Sequence, residues 1–240
     1  MKLDLIKAWE SLITNFPIFL NGIVNTVLYA LVGTIVGLLI GLVFGVIKAS
    51  AVSPFDSKGV KILKKVSQFL IGLYIWFFRG TPMMVQALFL YYGLSPIIGW
   101  DGPTAGLFVI SINTGAYMVE IIRSGLSSID KGQSEACMAL GLSRFQSLIY
   151  VILPQAIKNS FPSLGNQLIV NIKDSSMLSV VWVVDLFFQT GAIANTNYRY
   201  VETYFVSALF YLALTTIATF FLNAMEKKLD IKDGSKDYCA

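Results

Sequence analysis

Three stretches of this 240-residue sequence set charged side chains in apolar surroundings. Lys173 and Asp174 fall inside the run Ser160 to Val184, Glu120 closes the run Thr104 to Ile122 with Arg123 just beyond it, and Arg79 interrupts Val66 to Leu94. Charge in hydrocarbon is costly, so it marks a pathway or a compensated pair. On a helix, Asn113, Tyr117, Glu120 and Ser124 recur at i, i+4, i+7 and i+11 and share one face. Gln167, Asn171 and Asp174 share another. Two such stripes facing each other would line a water-accessible cavity. The ammonium of Lys173 could then hold a carboxylate, and Asp174 or Glu120 an ammonium, which is a receptor for a zwitterion. The alternative is two internal ion pairs, Lys173–Asp174 and Glu120–Arg123, holding helices together. Arg79 reads as a gate or, better, as a cation reaching for lipid phosphates.

Other chemistry is excluded by what the chain lacks. It has no histidine, the commonest general base and metal ligand. Its two cysteines, Cys137 and Cys239, are far apart and neither belongs to a CxxC pair. No catalytic residue, metal site or bound cofactor is expected. No GxxxxGK[ST] loop is present, so energy for any active process must come from another chain or an ion gradient.

The elements that must position these residues are membrane helices. The chain is 55% hydrophobic and only 13% charged, about half the charge a soluble domain carries. A span needs about 20 apolar residues, and five are expected: Asn21–Ile47, Met83–Leu94 after an amphipathic approach helix, Thr104–Ile122, Ser160–Val184 and Thr203–Met225. Along the first, Gly33, Gly37, Gly41 and Gly45 form a ridge that lets another helix approach closely. Gly80 and Pro82 predict a kink between the approach helix and the second span. Ser95 to Pro103 and Asp185 to Glu202 are expected loops. The first 20 residues hold a short helix with Leu5, Ala8, Trp9 and Leu12 on one face, suited to lying at the membrane surface or to packing on the bundle. No cleavable signal peptide is evident.

Lysine and arginine set the orientation. Lys48, Lys58, Lys61, Lys64, Lys65, Arg123, Lys131, Arg144, Lys158, Lys227, Lys228, Lys232 and Lys236 fall on one side, and only Lys2, Lys7 and Arg199 on the other. The N-terminus is therefore expected outside and the tail, 226–240, in the cytoplasm. The net charge of +4 is this bias and implies no nucleic acid partner.

The longest cytoplasmic segment, 123–158, reads as two short helices meeting at a corner. Gln133 to Leu140 favours helix, Gly141 can close it in the left-handed conformation, and Ser143 with Gln146 has the form of a capping box opening the next. Pro154 is expected to stop or bend that second helix. Such a corner suits docking another protein, or packing on its own bundle.

Within it, Glu135-Ala136-Cys137, three residues, Gly141, nine residues and Val151-Ile152-Leu153-Pro154 resemble the EAA loop of ABC importer permeases. Cys137 and Val151 depart from that pattern, keeping size and polarity class. Leu20-Asn21-Gly22 with Thr26, Arg79-Gly80-Thr81-Pro82, Glu120 to Gly125, Lys131-Gly132-Gln133 and Lys173 to Ser179 are similar to the polar amino acid permeases of that group, with Ser175 where threonine is common. The resemblance implies an all-α, multi-pass protein of the cell membrane with the type I importer architecture, a single permease domain over 1–240. It implies coupling through Glu135, Ala136, Cys137, Gly141, Leu153 and Pro154 to a cytoplasmic ATP-binding subunit that carries ATP and magnesium. It further implies an extracytoplasmic solute-binding protein, a homodimer or heterodimer with a related permease, and an amino acid substrate moved by alternating access. Asn113, Tyr117, Glu120, Lys173, Asp174 and Ser175 are then the candidate substrate residues. A methionine or other small-solute permease remains an alternative. An ion-coupled transporter fits worse, because five spans cannot form two equal inverted halves; a channel would need no docking corner.

Overall fold

The computed structural model describes residues 3–50 and 56–229. Lys2, Lys232, Lys236, Cys239 and most of the expected tail lie outside the described residues. Among the described residues every regular element is helical.

Helix α1 (Leu5–Thr14) is capped by the Asp4 carboxylate, which accepts from the Ile6 and Lys7 backbone N–H groups. It runs almost directly into α2 (Phe16–Ala49). At 1.5 Å per residue the 34 residues of α2 reach about 50 Å, longer than the roughly 30 Å hydrocarbon core. Helix α3 (Lys58–Gly80) meets α4 (Met83–Ile98) at a 111° bend. Helix α5 (Gly102–Ser127) opens on an Asp101 cap with Pro103 in its first turn, where a missing N–H costs nothing.

The glycine ridge of α2 packs on α5. A Cβ on Gly33, Gly37, Gly41 or Gly45 would come within 2.9, 2.7, 2.4 or 2.8 Å of Ile110, Thr114, Met118 and Ile122 respectively. Both series ascend by four, so the two helices run parallel and mesh over three turns. Parallel neighbours require an odd number of crossings between them. Helix α3 provides the return leg between them: Lys48 reaches the Gln68 carbonyl, Tyr74 the Ile112 carbonyl, and Asn113 the Phe78 carbonyl. Helix α3 is thus more than an approach. It climbs antiparallel to α2 and α5 as far as Asn113, and α4 then packs beside Val109, Ile110 and Tyr29.

Helices α6 (Lys131–Ala139) and α7 (Arg144–Ser147) form the corner. The chain then stays helical through a π turn (Leu148–Ile152), α8 (Leu153–Asp174) and a 3₁₀ segment (Ser175–Val181). Pro154 does not stop this helix. It sits in the first turn of α8, where its absent N–H breaks no α-helical bond, and the wider π turn ahead of it takes up the ring. Helix α8 runs antiparallel to α5, since Gly125 meets Ser160 while Thr114 meets Asn171.

The stretch expected as a loop between residues 185 and 202 is largely helix α9 (Leu186–Asn197). Buried Asp185 caps it, Oδ1 accepting from Phe188 N at 2.9 Å. Likewise α4 extends through Pro96 to Ile98 before Gly99 (φ 68°) ends it. Helix α10 (Tyr200–Lys228) closes the bundle, with Leu222 beside Gly165 of α8. Three helices, α2, α5 and α10, are each long and apolar enough to cross a membrane, and each bent pair can supply one crossing more.

Candidate transport cavity and coupling corner

Helix α5 carries polar groups on the side away from α2, and they divide into two sets. Asn113 belongs to the bend. Its amide donates to the Phe78 carbonyl at 3.2 Å and to Gln86 Oε1 at 2.8 Å, while Gln86 Nε2 donates to the Phe78 and Thr81 carbonyls at 2.9 Å. The bend at Gly80–Pro82 removes helical partners from these carbonyls, and two buried amides replace them.

Tyr117, Glu120 and Ser124 belong to a cavity of about 440 Å³. Its other walls are Arg79 at the end of α3, Arg123 and Ser128 on the α5 side, and Asn159, Ser160 and Ser163 on α8. Glu120 is paired with Arg123 at 2.8 Å and lies 3.9 Å from Arg79. The Arg79 guanidinium stands 5.3 Å from the centre of the Tyr117 ring, a cation–π distance. Two guanidinium groups and one carboxylate leave a local excess of one positive charge. The helices cross tightly at the cavity floor: a Cβ on Gly125 would come within 1.9 Å of Ser160 Oγ.

The expected stripe on α8 goes elsewhere. Asn171 is buried, donating to Thr34 Oγ1 at 2.8 Å and accepting from Thr114 Oγ1 at 3.0 Å, which ties α2, α5 and α8 together. Ser175 is buried and bonds its own helix at the Ile172 carbonyl. Lys173 is exposed and Asp174 half-buried, and they form no ion pair with each other among the described residues. One chain therefore gathers Tyr117 and Glu120 with Arg79, and leaves Lys173 and Asp174 outside that cavity. Arg79, expected as a gate or a lipid anchor, is a cavity wall; Asn159, Ser160 and Ser163 were not singled out, and the polar first half of the fourth apolar run was their only trace.

Below the cavity, the α6–α7 corner is built as its residues require. Leu142 N donates to the Cys137 carbonyl and Gly141 N to the Met138 carbonyl, both at 3.0 Å, closing α6 in a Schellman turn with Gly141 at φ 82°. Ser143 and Gln146 form the reciprocal capping box, at 3.2 and 2.8 Å. Cys137 is buried behind the turn, while Glu135 and Ala136 are exposed. Leu140, Phe145 and Tyr150 are 82%, 72% and 72% exposed. Large apolar side chains held this far out on a fixed corner make a contact surface.

Residues 41–231 match the family model of the binding-protein-dependent transport system inner membrane component. The chain belongs to this family. It is 41% identical over 162 residues to the glutamine transport system permease protein GlnP of Escherichia coli, covering 66% of this chain and 74% of that one. It is 33% identical over 227 residues to the arginine transport system permease protein ArtQ of Bacillus subtilis, covering 94% and 98%. A solved amino acid ABC transporter with histidines superposes at a TM-score of 0.78 and 35% identity, over 95% of this chain and all of that one. The MetNI methionine ABC transporter superposes at 0.71 with 20% identity, a likeness of fold alone. This is a permease subunit of an ABC importer, and in such systems ATP hydrolysis belongs to a separate subunit.

Proposed function

We propose that this chain forms the membrane pathway of an ATP-driven importer of polar amino acids. The observation that carries the reading is the conjunction of a charged cavity between α5 and α8 with a rigid corner directly below it in the chain. Five crossings, α2, α3–α4, α5, α8–α9 and α10, agree with the parallel run of α2 and α5 and the reversed run of α8. The lysine and arginine bias then puts residues 1–20 outside and 123–158, with the tail, in the cytoplasm.

In this reading Glu135, Ala136, Gly141, Leu153 and Pro154, with Cys137 packed behind them, seat the corner on a cytoplasmic ATPase that binds ATP and magnesium. Closure of the ATPase pair pushes the corner, and α8, continuous with it through the π turn, transmits the push to the cavity wall. A solute-binding protein delivers the amino acid from outside. Glu120 answers the substrate ammonium, and Arg79 and Arg123 its carboxylate. Asn113 holds the bend that presents Arg79. Lys173 and Asp174 face a second permease chain, identical or related, across the pathway, while buried Ser175, bonded to the Ile172 carbonyl, holds the helix end behind them. The named amino acid permeases among the relatives and the higher identity to the amino acid transporter than to MetNI support this solute class over methionine.

Mild-detergent purification of the tagged chain tests the docking. An ATP-binding subunit should co-purify, and should be lost when Glu135 and Gly141 are both changed to alanine. A related permease in the same complex would make it a heterodimer. Isolation without an ATPase under several mild conditions would end the importer reading.

A further inference from the structure

A second cavity, of about 790 Å³, lies at the other end of the bundle between α1 and the start of α10. Leu3, Asp4, Leu5, Ile6, Lys7, Tyr198, Arg199 and Glu202 line it, and Glu202 sets its chemistry. Glu202 is 5% exposed, yet its carboxylate has no hydrogen-bond or ion-pair partner among the described residues. The other charges there are matched, Asp4 with Lys7 at 3.5 Å and Arg199 with Glu10 at 2.6 Å. The Glu202 oxygens open onto the cavity, where water can solvate them and where a bound cation would give them the partner the protein does not. The residue's place in the first turn of α10 favours the charge through the helix dipole but satisfies none of its lone pairs.

The surroundings say what kind of cation. Leu5, Ile6, Trp9 and Ile13 are exposed along α1, at 59–82%, while Ala8 and Ser11 pack inward. The cavity therefore opens beside an apolar, tryptophan-bearing helix face of the sort that lies in the membrane interface. A ligand with an ammonium at one end for Glu202, a phosphate beside the already paired Lys7 and Arg199, and hydrocarbon beyond would match this lining.

We propose that this cavity binds a phospholipid whose headgroup carries a primary ammonium, with Glu202 as its acceptor. A primary ammonium can donate hydrogen bonds to the carboxylate; a quaternary one has the same charge but none to give. The inference is independent of the transported solute.

The complex is reconstituted in nanodiscs of mixed lipids, stripped in mild detergent, and its retained lipids are counted by native mass spectrometry. The wild type should retain phosphatidylethanolamine over phosphatidylcholine by about tenfold, the worth of a charge-assisted hydrogen bond. Glu202→Gln keeps the shape and should bring the two lipids to parity. Equal retention by the wild type, preference for phosphatidylglycerol, or an undiminished preference in Glu202→Gln would overturn the proposal. So would displacement of the retained lipid by free amino acid, which would reassign the cavity to a soluble zwitterion. The wild-type comparison decides even if the variant fails to assemble.

Discussion

The two sides of α5 are made of different material. Toward α2 it presents Ile110, Thr114, Met118 and Ile122 to four glycines, a dry seam with no space for a methyl group. Toward α3 and α8 it presents Tyr117, Glu120 and Ser124 to a cavity of about 440 Å³ walled by arginine, serine and asparagine. Neighbouring positions on one helix therefore do opposite work. The seam fixes α5 against α2, and the frame so made lets the opposite side stay polar, open and adjustable. The lesson is that a membrane helix can be rigid on one face because it must be responsive on the other.

The largest effect should come from filling the seam. Gly41→Leu drives a side chain into Met118, at 2.4 Å from its first atom. Overpacking of this kind costs about 3 kcal/mol or more where backbone must shift, and the complex should be lost from mild-detergent extracts. Gly93→Ala is the contrast, since nothing lies within 4 Å of its added methyl; assembly should be unchanged. Equal yields from the two variants would break the comparison.

Next, Asn113→Leu removes the donor that serves the Phe78 carbonyl and Gln86. Unpaired buried groups cost about 1–3 kcal/mol, so thermal stability in detergent should fall and the Arg79 side of the cavity should loosen. Gly141→Ala comes third. A side chain at φ 82° costs about 1–2 kcal/mol, and ATPase co-purification should fall about tenfold while the bundle melts normally.

The smallest structural effect should accompany a large functional one. Glu120 and its arginines are partly exposed, and such pairs hold less than about 1 kcal/mol of stability. Glu120→Gln should assemble normally, yet lose about tenfold or more of uptake through the missing charge-assisted bond to substrate. Loss of assembly instead would make this face part of the frame and erase the distinction.

Where one helix's own periodicity carried the information, the sequence was readable. The four-residue repeat of Gly33 to Gly45 announced a close partner, and Gly141 with Ser143 and Gln146 announced the corner, because caps and turns depend on neighbours in the chain. What the stripes could not reveal was which helix each would meet. Asn113 and Tyr117 share a face of α5, yet one serves the bend and the other the cavity, because α3 ends between them. Asn171 sits one turn before Ser175 and Asp174 and is spent tying three helices together. Helix α9 was missed because Gln189, Thr190, Gly191, Asn195, Thr196 and Asn197 read as loop composition, whereas burial of Asp185 as a cap decides the matter. Arg79 looked like a gate or a lipid anchor, but the packing of α3 along α5 sets it 3.9 Å from Glu120.

The most direct test is uptake by the purified complex in proteoliposomes, with its solute-binding protein outside and ATP within. ATP should drive accumulation of a polar amino acid with all ion gradients collapsed, and Glu120→Gln should abolish most of it while ATPase association persists. Uptake that needs a gradient and ignores ATP, or full uptake by Glu120→Gln, would contradict the account.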